Sequence, residues 1–321
     1  MSVTTIGPAT IHVGDCVDSL RTMPAGSVHC CVTSPPYWGL RDYGHDGQIG
    51  LEETPEAYVA KMVEVFCEVR RVLREDGTLW LNLGDSYASS GIRGGHGASA
   101  IVGNTKSGCQ GRAPTPPGLK PKDLVGIPWR VAFALQTDGW YLRQDIIWHK
   151  PNSMPESVTD RCTKSHEYIF LMAKSERYYY DAEAVKEESV CEESYRPRTP
   201  RNADKHVDDP FFRTRVGDHV NGKTYPTRNR RSVWTVATRP YRGSHFATFP
   251  PALIEPCILA GCPVGGTVLD PFGGSGTTAA VAVKHGRRAV LCELNPQYVD
   301  LAAERINKAI AESPLFSETT K

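Results

Sequence analysis

The chain reads Val268-Leu269-Asp270-Pro271-Phe272-Gly273-Gly274-Ser275-Gly276-Thr277-Thr278 near its C-terminal end. Residues 267–269 are short, apolar and β-branched, which predicts a buried parallel strand. A tight glycine turn follows, and the alanine-rich run after Thr278 indicates the start of a helix. A strand, a glycine turn and a helix start together let a ligand approach the backbone at the carboxyl edge of an α/β sheet.

A second apolar strand, residues 289–293, follows that helix and ends in the acid Glu293. An acid at the tip of the next strand commonly binds ribose hydroxyls. The turn lacks the Gly-Lys-Ser/Thr ending of a phosphate loop and departs from dinucleotide spacing. Acids on both sides suit a ligand with a ribose and an amino acid tail but no phosphates. Taken alone, the turn is also compatible with a tight turn of any α/β protein.

A second motif, Thr33-Ser34-Pro35-Pro36-Tyr37-Trp38, lies near the other end of the chain and follows the apolar run 28–32. Two prolines cannot extend a central strand, so the chain must leave the sheet there in a stiff turn. The turn offers one hydroxyl, free carbonyls and two aromatic faces. A simple linker is the alternative, but the position at the end of a buried strand favours a site.

Together the two motifs resemble those of the amino-methylating DNA methyltransferases that use S-adenosylmethionine (SAM). In that family Phe-x-Gly-x-Gly binds the methionine part of SAM, and (Asp/Asn/Ser)-Pro-Pro-(Tyr/Phe/Trp) holds the target base. Here these motifs are residues 272–276 and 34–37. The catalytic motif precedes the cofactor motif, which is the order of the permuted β group. The resemblance covers nearly the whole chain.

The resemblance implies roles for individual residues. The amine of a flipped base would donate hydrogen bonds to Ser34 Oγ and the Pro35 carbonyl, Pro36 would stiffen the turn, and Tyr37 would stack on the base. For Asp15, a contact to the SAM adenine and a simple helix N-cap are both open. The full set of cofactor residues implied is Asp15, His245, Phe249, Asp270, Pro271, Phe272, Gly274, Gly276, Thr277, Thr278, Glu293 and Asn295.

The expected fold is a doubly wound, mostly parallel Rossmann-like α/β sheet with permuted motif order and a DNA-recognition insertion. Strands 267–269 and 289–292 would be followed by 10–13 and 28–32, so that both motifs meet at one carboxyl edge. We expect three segments: a catalytic half (1–181) with a mobile basic loop (86–122), a target-recognition insertion (182–243) and a SAM-binding half (244–321).

Several elements are predicted from periodicity and caps. Thr54 caps a helix that begins with Pro55, and its apolar stripe forms core: Tyr58, Met62, Val65, Phe66, Val69 and Leu73. A turn at Asp76-Gly77 precedes a strand at 78–83. A helix is predicted over 123–134, with Leu124, Trp129, Val131 and Phe133 mostly in the core. Strands 141–148 and 167–172 form a hairpin that closes the sheet.

Two segments are candidates for DNA contact. Residues 86–122 hold eight glycines, five Lys or Arg and no acid, which fits either a disordered insertion or a loop that orders on DNA. Residues 196–242 hold twelve Lys or Arg against four Asp or Glu, which fits a solvated face or a recognition region. The resemblance also places a Trp-x-Lys-Pro-Asn segment beside the target base. The candidate DNA-binding residues are Trp38, Lys150, Asn152, Arg228, Arg230 and Arg231.

Composition narrows the class of protein. The formal net charge of +1 excludes a general polycation, so any nucleic-acid surface must be local. Ten cysteines without a Cys-x-x-Cys pair indicate buried thiols in a reducing cytoplasm, and neither disulfides nor a metal site is expected. No apolar run reaches membrane-spanning length.

The function expected from these residues is transfer of a methyl group from SAM to the N4 amine of a flipped cytosine in duplex DNA. Family usage pairs Ser-Pro-Pro-Tyr mainly with cytosine N4, and adenine N6 is the alternative. An RNA methyltransferase or an inactive SAM-dependent DNA-binding protein stays open. A monomer or homodimer, accompanied or not by a cognate restriction endonuclease, fits the sequence.

Overall fold

The computed structural model describes residues 2–88, 115, 118–189, 226–238 and 249–313. The chain forms two compact units, one of Met1–Asp181 with Arg231–Lys321 and one of Ala182–Arg230. The division into a catalytic half, a recognition insertion and a SAM-binding half stays a prediction about function. Most of the loop predicted at 86–122 and of the basic segment at 196–242 lies outside the described residues.

Within the described residues, the larger unit contains six helices and one sheet. The helices are α1 (Cys16–Thr22), α2 (Pro55–Val72), α3 (Ile127–Thr137), α4 (Pro251–Gly261), α5 (Thr277–Lys284) and α6 (Gln297–Glu312). The strands are β1 (Ser2–Ile6), β2 (Ala9–Val13), β3 (Val28–Thr33), β4 (Leu73–Leu83), β5 (Tyr141–His149), β6 (His166–Ala173), β9 (Val233–Thr235), β10 (Thr267–Asp270) and β11 (Arg288–Glu293). The smaller unit contains a 3₁₀ turn (Glu183–Val185) and the antiparallel pair β7 (Glu187–Glu188) and β8 (Thr227–Arg228).

The sheet has the order β1-β2-β11-β10-β3-β4-β6-β5-β9. Strands β2, β11, β10, β3 and β4 are mutually parallel, and β6 then runs antiparallel to both β4 and β5. This confirms the expected α/β fold and brings the carboxyl ends of β3, β10 and β11 to one edge. The predicted hairpin of β5 and β6 forms, but β9 pairs beyond it and is the outer strand of the described sheet.

Helices cover both faces of the sheet because buried side chains alternate along its strands. Cys31 and Leu79 belong to the core cluster that includes α1, α2 and α3. Their neighbours Cys30 and Trp80 face Gly261 of α4, where a Cβ would lie 2.8 Å from Cys30 Sγ and 2.5 Å from Trp80 Nε1. Both faces of the strands are therefore apolar, as in a doubly wound sheet.

Helix α2 forms as its caps and periodicity predict. Thr54 Oγ1 accepts a hydrogen bond from the Ala57 backbone N–H, and Pro55 occupies the first turn. All six residues of the predicted stripe are fully buried. Truncation of Phe66 to Ala would cost about 3–5 kcal/mol, as for other large buried side chains.

The prediction for α3 was wrong at its start and on one face. The helix begins at Ile127, not Asp123, because Asp85 Oδ1 accepts hydrogen bonds from the Gly126 and Ile127 backbone N–H groups. Leu124 precedes the helix and forms an isolated bridge with Tyr87. Leu124 and Phe133, predicted as core, are 50% and 54% exposed.

The turn predicted at Asp76-Gly77 is absorbed into a longer strand. β4 begins at Leu73, and its pairing with β3 jumps from Val28–Leu73 to Cys30–Thr78. The four intervening residues of β4 therefore bulge without ending the strand.

The eight cysteines that the structure describes are free thiols, and Cys67 and Cys162 are exposed while the others are buried. Among the described helices, none combines the length and apolar character needed to cross a membrane.

Candidate active site

A cavity of about 620 Å³ lies at the carboxyl edge of the sheet. Both sequence motifs line it, the glycine turn through residues 270–275 and the Ser-Pro-Pro-Tyr turn through residues 34–37. The volume lies within the range of about 300–1,000 Å³ that is typical of small-molecule sites. The predicted residues that line this cavity are Asp15, Ser34, Pro35, Pro36, Tyr37, Lys150, Asn152, Phe249, Asp270, Pro271, Phe272, Gly274, Thr277, Glu293 and Asn295.

The glycine turn approaches its neighbours too closely for side chains. A Cβ at Gly273 would lie 2.8 Å from Leu291 Cβ, and one at Gly276 would lie 2.8 Å from Ala302 Cβ. Gly274 and Gly276 also have φ of 51° and 77°, in the left-handed region. The glycines therefore allow the turn to pack closely against β11 and α6, while residues 270–275 line the cavity. Gly276 itself packs against Ala302 of α6, and its cofactor contact stays a prediction.

Asp270 ties the glycine turn to the neighbouring strand. Its Oδ1 accepts from Thr33 Oγ1 at 2.6 Å and from the Phe272 backbone N–H at 3.0 Å, and its Oδ2 accepts from Thr278 Oγ1 at 2.6 Å. Burial nevertheless raises the pKa of Asp270 to about 6. Thr278 is 1% exposed and bonds to Asp270, and its cofactor contact stays a prediction.

Glu293 holds the two loops that border the cavity. One carboxylate oxygen accepts from the Gly274 backbone N–H at 2.7 Å, and the other accepts from the Asn295 backbone N–H at 2.8 Å. Burial raises the pKa of Glu293. A carboxylate has about four acceptor positions, so both oxygens keep capacity for hydroxyls of a ligand. Asn295 Oδ1 in turn accepts from the Gln297 backbone N–H at the start of α6.

Asp15 caps α1. Its Oδ1 accepts from the Val17 backbone N–H at 2.8 Å and from the Asp18 backbone N–H at 3.1 Å. The N-cap alternative is therefore observed. Asp15 also borders the cavity, and its contact with the SAM adenine stays a prediction. Phe249 lines the cavity as well, whereas His245 lies outside the described residues.

The Ser-Pro-Pro-Tyr turn is fixed from behind. Tyr58 Oη of α2 donates to the Pro36 carbonyl at 2.9 Å. A Cβ at Gly50 would lie 3.1 Å from the Tyr37 carbonyl, and Gly50 has a φ of 105°. The Gly39 N–H also donates to the Gly50 carbonyl at 2.8 Å, so the segment between these glycines closes on itself beside the turn.

Three residues that were not predicted from the sequence set the position of Tyr37. Its Oη donates toward Glu167 Oε2 at 2.8 Å, and Asn82 Oδ1 lies 3.2 Å away. A Cβ at Gly84 would lie 2.5 Å from Tyr37 Cε2, so only glycine leaves room for the ring. Burial raises the pKa of Tyr37 well above its usual value, and the charge of Glu167 adds to this shift. Polar Asn82 within an apolar strand and Glu167 at the head of another were the available signals.

The Trp-x-Lys-Pro-Asn segment borders the cavity, but its polar side chains largely contact other residues of the protein. Lys150 Nζ pairs with Glu167 Oε1 and lies 4.2 Å from the centre of the Trp148 ring. The Asn152 side chain exchanges hydrogen bonds with the Thr238 backbone, donating to its carbonyl at 2.9 Å and accepting from its N–H at 2.9 Å. Asn152 therefore fastens the chain after β5 to the chain after β9.

Trp38 is not placed for the predicted DNA contact. Its side chain is 1% exposed, and its indole N–H donates to the Glu52 carbonyl at 2.8 Å. The ring packs in the hydrophobic core because the stiff Pro-Pro turn directs Tyr37 to the cavity and the next residue inward.

The three candidate arginines are divided between the two units. Arg228 is in β8 of the smaller unit, where its Nε donates to Glu187 Oε1 at 2.8 Å. Arg230 belongs to the same unit and Arg231 to the larger one. Their contact with DNA stays a prediction.

Sequence comparison identifies relatives over almost the whole chain. A family described as DNA methylase matches residues 28–304. The Type II methyltransferase M.Cfr9I of Citrobacter freundii is 51% identical over 298 residues, which cover 93% of this chain and 87% of that protein. M.SmaI of Serratia marcescens is 50% identical over 296 residues, which cover 92% and 90%.

Solved structures share the fold. A Thermus thermophilus protein described as a putative DNA modification methylase, solved with SAM, matches with a TM-score of 0.57 and 26% identity over 93% of each chain. The PvuII DNA methyltransferase, described as cytosine-N4-specific, matches with a TM-score of 0.62 and 18% identity over 95% of this chain and 90% of that one, a likeness of fold alone. The chain therefore belongs to the DNA methylase family, which confirms the resemblance to SAM-dependent DNA methyltransferases.

Proposed function

We propose that this DNA methyltransferase transfers the methyl group of SAM to the N4 amine of a cytosine extruded from duplex DNA. The observation that carries the proposal is the single cavity bordered by Ser34 to Tyr37 on one side and by the glycine turn on the other. Serine at the first position of the catalytic motif supports cytosine N4 over adenine N6, because the family pairs that residue mainly with cytosine.

The cavity fits SAM on chemical grounds. The glycine turn lines the cavity where the amino acid tail would lie, and Glu293 has acceptor capacity for ribose hydroxyls. When bound, SAM supplies an electrophilic methyl group on a sulfonium. The protein then needs to position the acceptor amine more than to activate the donor.

An exocyclic amine is a poor nucleophile because its lone pair is delocalised into the ring. Ser34 Oγ and the Pro35 carbonyl, acting as acceptors for the two amine hydrogens, would favour a pyramidal nitrogen with its lone pair turned toward the donor side of the cavity. The Tyr37 ring offers a stacking surface that offsets part of the cost of extrusion, about a few kcal/mol. No covalent intermediate is required.

The relatives named Type II methyltransferases support a role in a restriction–modification pair, with a cognate endonuclease as the functional partner. The decisive experiment is sequencing of plasmid DNA from cells that express the protein, read for modified bases. N4-methylcytosine at a defined site supports the proposal, N6-methyladenine moves it to the alternative base, and unmodified DNA from cells with folded protein overturns it. The same experiment supplies the recognition site.

A further inference from the structure

A directional chain of hydrogen bonds runs from the catalytic turn into the protein. Ser34 Oγ lies 3.4 Å from Tyr37 Oη, and Tyr37 Oη lies 2.8 Å from Glu167 Oε2. The carboxylate is 15% exposed and pairs on its other side with Lys150 Nζ. Glu167 and Lys150 line the same cavity as Ser34 and Tyr37.

The surroundings of Tyr37 fix where its proton points. A carboxylate only accepts hydrogen bonds, so Glu167 requires the Tyr37 proton. Asn82 Nδ2 donates to the Tyr168 carbonyl at 3.0 Å and to Glu167 Oε2 at 3.2 Å, which turns the acceptor Oδ1 of Asn82 toward Tyr37. Both neighbours on the protein side are therefore acceptors, and the Tyr37 oxygen faces Ser34 with a lone pair.

We propose that Glu167 is a positioning residue that sets the hydrogen-bonding polarity of Ser34. Through Tyr37 it draws the Ser34 proton away from the base, so Ser34 Oγ presents lone pairs to the cavity. The site then accepts a base with an N–H donor at this position, such as cytosine, and disfavours one with a carbonyl, such as uracil. The inference rests on the proposed function, in which Ser34 contacts the target amine.

The expected size of the effect follows from the geometry. The 3.4 Å contact between Ser34 and Tyr37 is long for a bond between hydroxyls, so its strength lies at the lower end of the range for neutral hydrogen bonds. Its loss corresponds to a change of about 2- to 3-fold in binding. Discrimination that remains afterwards is expected from the Pro35 carbonyl, which is always an acceptor.

The test compares duplexes with cytosine or uracil at the mapped target position. A mismatched uracil is extruded more easily than a paired cytosine. The measured quantity is therefore the ratio of the Kd values for the two duplexes in each variant, divided by the same ratio for wild type. The difference in extrusion cancels in this quotient. Tyr37→Phe keeps the ring but removes the relay hydroxyl. In Glu167→Gln the amide oxygen is expected to face Lys150, which leaves the NH₂ group toward Tyr37. Both variants should lower the preference for cytosine about 2- to 3-fold.

The double variant Tyr37→Phe, Glu167→Gln should show no further change, because the two groups act in one chain. Glu68→Gln, which breaks an ion pair with Arg71 on α2, is the matched control and should keep the wild-type ratio. An unchanged ratio in folded Tyr37→Phe overturns the inference, as do effects of the two substitutions that add. Methylation of the target base by the wild-type protein tests the proposed function separately. Failure of the proposed function is therefore distinguishable from failure of the inference about Glu167.

Discussion

Thr33 Oγ1 donates a 2.6 Å hydrogen bond to Asp270 Oδ1, although the two residues lie 237 positions apart in the sequence. Thr33 immediately precedes Ser34, and Asp270 opens the glycine turn. The bond therefore joins the catalytic turn and the cofactor turn through buried side chains of two adjacent parallel strands. The order of the two motifs along the chain does not affect this contact, because the sheet places β3 beside β10 in either order.

The first prediction is that Thr33→Val destabilises the protein more at high pH than at low pH. Burial raises the pKa of Asp270 to about 6, so protonation of Asp270 stabilises the folded state fully below about pH 4. This stabilisation is lost as the pH rises through 6, which lowers the free energy of unfolding by about 3 kcal/mol at neutral pH. Loss of the Thr33 donor raises that pKa further. Urea unfolding should give a larger difference from wild type at pH 8 than at pH 5.

Thr78→Val is the control for this prediction. Thr78 is equally buried, but its hydroxyl interacts with Cys30 Sγ and the Trp80 indole N–H and has no carboxylate partner. The Thr78→Val substitution should lower the free energy of unfolding by the same amount at both pH values. A Thr33→Val cost that is equally independent of pH would contradict the assigned role of Asp270.

The second prediction concerns Glu293. Its two oxygens also accept hydrogen bonds from the backbone N–H groups of Gly274 and Asn295, so Glu293→Ala would remove both acceptors, whereas Glu293→Gln keeps one of them. Loss of charge-assisted bonds to a ribose should weaken SAM binding by about 1.5–3 kcal/mol, or about 10- to 150-fold in Kd. Titration calorimetry without DNA measures this. Exposed Glu304→Gln should bind as wild type, and an unaltered Kd in Glu293→Gln removes the ribose assignment.

Much of the fold could be predicted because its signals are local. Apolar β-branched runs, the Thr54-Pro55 cap and the glycine turn each act within a few residues, and they fixed the parallel strands and α2. The start of α3 could not be predicted, because Asp85 caps it from 41 positions away in sequence. Trp38 was misplaced for a similar reason: sequence shows an aromatic after a turn, but only packing decides whether it faces solvent.

The site was predicted in part for the same physical reason. Motif residues such as Ser34 and Glu293 reach the cavity because they lie at strand ends. Asn82 lies within β4 and Glu167 within the antiparallel strand β6, so their contacts with Tyr37 depend on the register of these two strands. A single sequence carries no signal for that register beyond two polar residues in apolar runs.

The third prediction is that Gly84→Ala lowers methylation by displacing Tyr37. The new Cβ would lie 2.5 Å from Tyr37 Cε2, so the ring must move from its seat. Since base–aromatic stacking is worth about 1–3 kcal/mol, a loss of roughly 10-fold in the single-turnover rate is expected. The control is the same substitution in a Tyr37→Ala background, where it should have almost no effect. An equal loss in both backgrounds would mean that Gly84 acts by another route.

The fourth prediction tests the arginines. DNA affinity should fall steeply with salt, and neutralising Arg228, Arg230 and Arg231 together should flatten the log–log slope by about 0.9 for each phosphate that the protein no longer neutralises. SAM affinity should stay unchanged. Glu187→Gln breaks the ion pair of Arg228 while keeping its charge, so this control should not flatten the slope. An identical slope in the triple variant places DNA recognition elsewhere, with the basic loop at 86–122 as the next candidate.

The last prediction separates a catalyst from a binding protein. Ser34→Ala removes one of the two acceptors proposed for the target amine, and that bond strengthens as positive charge develops on nitrogen. The single-turnover rate should therefore fall about 10- to 100-fold, while the Kd values for SAM and DNA change little. The assay is tritium transfer from labelled SAM to a duplex with the mapped site, followed by nucleoside chromatography to identify the methylated base. Tyr37→Ala should lower the rate and also weaken retention of the extruded base. Full activity in the Ser34→Ala, Tyr37→Ala double variant would place the chemistry outside this cavity.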